Sequence, residues 1–148
     1  MYEDAAVIEG EGAGIESIGY MDMDGDGAME IAVGWQLSSG INMLSVYSLK
    51  GYQVSQVINT DYTEFSICNL DSQYNSSVLV LRISSSELTG EAEIYSMTDE
   101  TEIVMSSCRL TNGIEALLRV RSTQLADGKN AIAIESSYSG SGIVTDLL

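Results

Sequence analysis

One stretch of the chain returns about 47 residues further on, and this recurrence constrains the fold more than any other feature. Ile15-Glu16-Ser17-Ile18-Gly19-Tyr20-Met21-Asp22-Met23-Asp24, followed by Ile31-Ala32-Val33, is echoed by Tyr62-Thr63-Glu64-Phe65-Ser66-Ile67-Cys68-Asn69-Leu70-Asp71 before Val78-Leu79-Val80. A weaker third copy runs from Leu118-Arg119-Val120 through Leu125-Ala126-Asp127-Gly128 to Ile132-Ala133-Ile134. Each unit reads as strand, loop, apolar strand, turn, strand, turn, strand, and the third stops after about three strands. A period of roughly 40–55 residues with four strands per unit is the arithmetic of propeller blades. The expected architecture is therefore all-β: propeller-like antiparallel four-stranded blades over about 15–59 and 62–110, with a partial third over about 114–148. A β-sandwich of about ten strands, its segments alike by accident, is the competing expectation.

Helical periodicity is hard to find, whereas short β-rich runs recur between Gly, Ser, Asn and Asp. Strands are expected near 15–21, 30–36, 41–49, 52–59, 62–69, 78–84, 91–96, 102–108, 114–122, 130–137 and 142–147. Turns are expected at Ser38-Ser39-Gly40, Lys50-Gly51, Thr89-Gly90, Asn112-Gly113 and Asp127-Gly128, where φ > 0 or an Asx turn comes without strain.

Charge removes whole classes of function. The chain carries 22 acidic against 6 basic residues, a net charge of -16, and no histidine. Nucleic-acid phosphates need clustered Lys and Arg, and anionic membrane surfaces recruit polybasic segments. No apolar run approaches the roughly 20 residues of a membrane span. Without histidine there are no Ser-His or Cys-His nucleophile pairs and no His-based zinc sites. Disorder is also unexpected, because 8 Tyr, a Trp and many Val and Ile supply the core formers that unfolded acidic chains lack. Met1-Tyr2-Glu3-Asp4 is acidic where an export signal begins basic. The protein is thus expected to be intracellular, or to have its export signal outside this chain.

The sharpest local signal is Asp22-Met23-Asp24-Gly25-Asp26-Gly27-Ala28-Met29-Glu30. Carboxylates at positions 1, 3 and 5 of a tightly turned loop converge on one point, and the glycines permit the turn. The Ala28 carbonyl at position 7 and Glu30 at position 9 add further oxygens. So many hard oxygen ligands suit Ca²⁺ better than Mg²⁺. Without a cation, four carboxylates this close repel one another and raise their own pKa values. An EF-hand is excluded, because its position 12 needs a bidentate Glu and here is Val33, inside a β-like run. The bland alternative is an acidic Gly-rich hairpin loop that binds nothing.

Asp-x-Asp-Gly-Asp-Gly-x-x-Glu before an apolar strand ending in Gly resembles the FG-GAP or VCBS-like repeat of integrin α-chain propellers and bacterial surface proteins. The likeness is strong from Ile15 to about Gln56 and fades beyond. It implies Ca²⁺ ligation by Asp22, Asp24, Asp26, the Ala28 carbonyl and Glu30, in a blade whose innermost strand precedes the loop. Ile18-Gly19 stands where the family has Phe-Gly, and a chain without proline has no Gly-Ala-Pro element. The second copy keeps only Asn69, Asp71 and Asn75 and the third Asp127-Gly128, so neither is expected to hold metal. Three units also fall short of the 4–8 blades that close a propeller, which leaves a fragment, an open stack or one part of an oligomer.

Other residues are expected to play plainer parts. Cys68 and Cys108 fall on the first and fourth strands of one unit, roughly 14 Å apart, too far for a disulfide, so two buried thiols are expected, with a disulfide as the alternative. Trp35 reads as a packing anchor between blades, with a carbohydrate platform as the alternative. Arg119 and Arg121 share one strand face, as solvated edge charge or facing an acidic neighbour. Glu91 with Glu93, and Glu100 with Glu102, resemble a glycosidase pair only in spacing. The expected function is a non-catalytic, Ca²⁺-stabilised binding, adhesion or scaffold domain, extracellular or at the cell surface, with a protein or glycan ligand. An accessory domain of a secreted polysaccharide-acting enzyme is one alternative. A homo-oligomerisation module using open blade edges is another.

Overall fold

Among the described residues, runs of β-forming side chains build eleven strands in three antiparallel sheets. The computed structural model describes residues 7–10, 14–70, 75–98, 102–140 and 142–148, and over these the chain is all-β. Sheet I holds β1 (Gly14–Met21), β2 (Glu30–Gln36), β3 (Asn42–Lys50) and β4 (Gln53–Asp61) in chain order. Sheet II repeats that order with β5 (Glu64–Cys68), β6 (Ser77–Ser84), β7 (Thr89–Thr98) and β8 (Glu102–Arg109). Sheet III has three strands, β9 (Ile114–Gln124), β10 (Asn130–Tyr138) and β11 (Ile143–Leu147), with β10 central. The architecture is three sheets, where a sandwich has two.

Sheet II lies between the other two, and β6 shows why. Successive side chains of a strand point to opposite faces, and Val78, Leu79, Val80 and Leu81 are all fully buried. Val78 and Val80 pack with Ala32, Leu44 and Val46 of sheet I. Leu79 and Leu81 pack instead with Ile114, Ile132 and Ile134 of sheet III. A short continuous apolar run is what a strand covered on both faces requires. Sheets I and II are also tied at their junction, where the Tyr62 N–H donates to the Asn42 carbonyl at 3.1 Å and that of Thr63 to Leu81 at 2.8 Å.

Gly40, Gly51, Gly113 and Gly128 all take positive φ in turns. Thr89-Gly90 does not turn, which corrects the sequence expectation. Both residues lie in β7, and the chain reverses over 85–88 with Leu88 at φ 55°. Gly90 is required for room, since a Cβ there would lie 2.9 Å from Ile83 Cδ1 and 3.0 Å from Leu110 Cδ1.

The two cysteines are free thiols on opposite edge strands of sheet II. Cys68 is buried and donates to the Ser77 carbonyl at 3.5 Å. Burial pushes its thiol up to about 11. Cys108 is exposed on the outer strand β8, which corrects the expectation of two buried thiols, and partial desolvation together with the charges of Asp146 and Glu91 raises its pKa as well. Because the thiolate is the reactive form, maleimide at pH 8 should label one thiol per native chain, slowly, at Cys108. Both thiols should react in denaturant, and mass spectrometry of the labelled peptides distinguishes them.

Candidate metal centre

The acidic loop bridges β1 and β2, and its backbone turns on Gly25 (φ 77°) and Gly27 (φ 85°). These left-handed positions cost glycine little, and they let the loop N–H groups fold back onto its carboxylates. Asp22 accepts from Gly25 N at 2.7 Å through Oδ1 and from Gly27 N at 3.0 Å through Oδ2. Asp24 Oδ1 accepts from Asp26 N at 3.1 Å, and Asp26 Oδ1 from Ala28 N at 2.7 Å. A carboxylate has about four lone-pair sites, so these bonds leave capacity on each for a cation.

One oxygen each from Asp22, Asp24 and Glu30 lies within 4.8 Å of the others. That spacing is one at which the three carboxylates could hold a single metal ion. Asp26 lies outside that cluster. Ala28 enters the loop's bonding through its N–H.

Glu30 opens β2 and is almost wholly buried, at 1% exposure. Its Oε2 accepts from Met23 N at 2.8 Å and its Oε1 from the Ser48 hydroxyl at 3.3 Å. Burial raises its pKa, the Met23 N–H works against this, and the charges of Asp24 and Asp26 add to the rise. Burial also pushes Asp24 up, but hydrogen bonds from Lys50 and from its own loop prevail and hold it below its ordinary value.

Lys50 was not singled out by the sequence. It ends β3, its Nζ bonds Asp24 Oδ2 and lies 3.5 Å from Asp26 Oδ2. Counting the β2–β3 register outward from the Ser38–Gly40 turn would have found it, since Gln36 pairs with Asn42 and Ile31 with Tyr47. Lys50 thus reaches the loop end of the hairpin, beside Glu30. The loop is also fastened to sheet II: Ser76 N donates to the Asp22 carbonyl at 2.8 Å. A Cβ on Gly25 would fall 2.5 Å from Asn75 Oδ1. Asp71, from the second copy of the loop, lies outside the described residues. In the third copy, Asp127 accepts from Lys129 N at 3.1 Å and caps the β9–β10 turn.

Three of the other candidates are held in ion pairs. Glu135 takes Arg119 at 2.9 Å and Arg121 at 3.2 Å. Glu93 pairs with Arg82 at 2.9 Å and accepts from the Tyr95 hydroxyl at 2.6 Å. Glu100 lies outside the described residues. Trp35 is half-buried and packed by Gly10. No helix among the described residues is long and apolar enough to cross a membrane. The chain matches no known protein family, no curated protein and no solved structure.

Proposed function

We propose that this is a non-catalytic scaffold or binding domain of propeller-like blades, in which Ca²⁺ locks the 22–30 loop and thereby the junction of the first two sheets. The carrying observation is the convergence of Asp22, Asp24 and Glu30 within 4.8 Å, in a loop that hydrogen-bonds sheet II. The FG-GAP-like spacing of the loop and the repeated four-strand order of sheets I and II support the same reading. Loops of modest affinity fill in millimolar extracellular Ca²⁺, so we assign the domain to a secreted or cell-surface protein that presents its loops to a protein or glycan.

Thermal unfolding in about 1 mM Ca²⁺ against EDTA tests the site. Saturation at about 100 times the Kd stabilises by roughly 2.7 kcal/mol, at roughly 2–4 °C per kcal/mol for a chain near this size. Glu30→Gln separates binding from folding. A carboxyl whose pKa is raised in the fold favours the fold most when protonated, and that contribution fades as pH rises through the folded value. Glutamine keeps the Met23 bond and is neutral at every pH. In EDTA at pH 7 the variant should therefore melt no lower than the parent, and in Ca²⁺ it should show no shift. A Ca²⁺ shift surviving in Glu30→Gln, or absent from the parent, would overturn the assignment.

A further inference from the structure

The stacking of the sheets follows a rule that leaves two faces of the chain without a sheet on them. In β6, Val78 and Val80 face the preceding sheet, whereas Leu79 faces the following one. The same parity holds on either side. Ala32 of Ile31-Ala32-Val33 faces forward onto sheet II, and Ile132 and Ile134 of Ile132-Ala133-Ile134 face back onto it. Within the chain, each contact thus sets the middle residue of one triad against the outer pair of the next. Two half-contacts remain: the outer pair of β2, Ile31 and Val33, on the back of sheet I, and the middle residue of β10, Ala133, on the front of sheet III. Among the described residues, only the 7–10 segment, against Trp35, crosses the first.

The two faces complement each other. Directly paired residues share a face, which places Ile18, Tyr20, Trp35, Met43 and Tyr47 with Ile31 and Val33. Ile18 and Tyr20 are 51% and 64% exposed. The back-facing positions of β1, β2 and β3 carry no charge, although the chain as a whole is at -16. Beside the 7–10 segment this face holds a groove of about 310 Å³, edged by Ile8, Trp35, Met43 and Tyr47 and also by Glu9 and Gln56, and Asp61 of β4 stands in register with Met43. On the front of sheet III, Ala131 and Ala133 are themselves buried, with Arg121 and Leu147 in register with Ala133, and the exposed surface there is made by Arg119 and Arg121, both ion-paired with Glu135 of the same face. The guanidinium planes of this ion-paired cluster can still stack on the aromatic side chains of the other face.

We propose that the front of sheet III docks on the back of sheet I in a second copy of this chain, so that two chains close head to tail into a ring of six sheets. The contact continues the rule already used twice within the chain, and it rests on that stacking, independently of the Ca²⁺ site. A head-to-tail contact either closes or propagates, and six lies within the range at which radial sheets close. From strand spacing and rise, one face of sheet III projects about 400 Å², so the two contacts bury about 1,600 Å² counted over both partners, the size of a stable specific interface.

Light scattering on the eluting chain at tens of micromolar, in EDTA and in Ca²⁺, should give the mass of two chains. Trp35→Glu and Ala133→Glu should each give one chain, with far-UV dichroism unchanged. Tyr20→Glu replaces the first and Arg121→Glu the second should either fail to fold, since Ala133 is 1% exposed and Arg121 is exposed on the same face. Mixing the two variants should restore a two-chain species, because one of the two contacts is then free of either substitution. A one-chain mass for the parent overturns the proposal, and so does a ladder of larger assemblies. A pair that survives Ala133→Glu, or variants that do not complement, would mean a back-to-back contact and equally overturns it.

Discussion

Leu79→Ala should lower the free energy of unfolding by about 2–5 kcal/mol. Leu79 is fully buried on the middle strand pair of the middle sheet, with Ile114, Ile132, Ile134 and Leu110 in the same cluster. Removing its branched end loses the transfer energy of the buried carbons. It also leaves a cavity that two stacked sheets close poorly, because their backbones are held by ladders on both sides. The loss falls on the contact between sheets II and III, so unfolding should stay cooperative only if the third sheet depends on the second. Val54→Ala on the outer strand of sheet I is the control: Val54 is 37% exposed, and its truncation should stay within about 0.5 kcal/mol. Urea midpoints at constant slope measure both. Equal costs for the two substitutions would mean that β6 is not the shared core of the stack.

Much of this arrangement is legible in the sequence, for a physical reason. A strand exposed on one face alternates, whereas a strand covered on both cannot, so Val78-Leu79-Val80-Leu81 announces its place. The Asn-Gly and Asp-Gly turns could be read because few residues take φ > 0 without strain. The turn at 85–88 could not, since Leu88 is not a residue that signals a left-handed conformation. It adopts one because Gly113 N–H donates to the Leu88 carbonyl at 2.8 Å and Gly90 must stay extended beside Ile83. The acidic loop was legible because its ligands are local in sequence. Lys50 is distant in sequence and is found only by counting the hairpin register from the Ser38–Gly40 turn, and Ser76 had no such signal because it comes from the segment that leads into β6 of another sheet.

Gly34→Ala should cost about 1–3 kcal/mol, and it should cost less when Tyr62 is already replaced by Phe. Gly34 lies in β2 at ordinary φ, so the argument is one of space. A Cβ there would press on Tyr62 Oη, 2.6 Å from Ser17 Oγ and 3.1 Å from Phe65 Cε1. Tyr62 has little freedom to yield. Its ring meets Phe65 edge to face at 5.1 Å, and its hydroxyl donates to Glu16 Oε2 at 2.5 Å. Burial first, then the bond to Glu16, raises the pKa of that hydroxyl, so it stays a donor. Glu16 can accept because β1 is irregular between Ile15 and Ser17, where an extra residue breaks the alternation and turns its side chain towards sheet II. The glycine, the tyrosine and the bulge therefore act as one joint between sheets I and II. Tyr62→Phe alone gives up a hydrogen bond to a carboxylate, about 1.5–3 kcal/mol. The double variant should fall short of the sum of the singles by at least about 0.5 kcal/mol, because the added methyl group no longer meets the hydroxyl. Strict additivity in a urea-denaturation cycle would show that the alanine methyl is accommodated elsewhere, and that Tyr62 does not hold the joint closed.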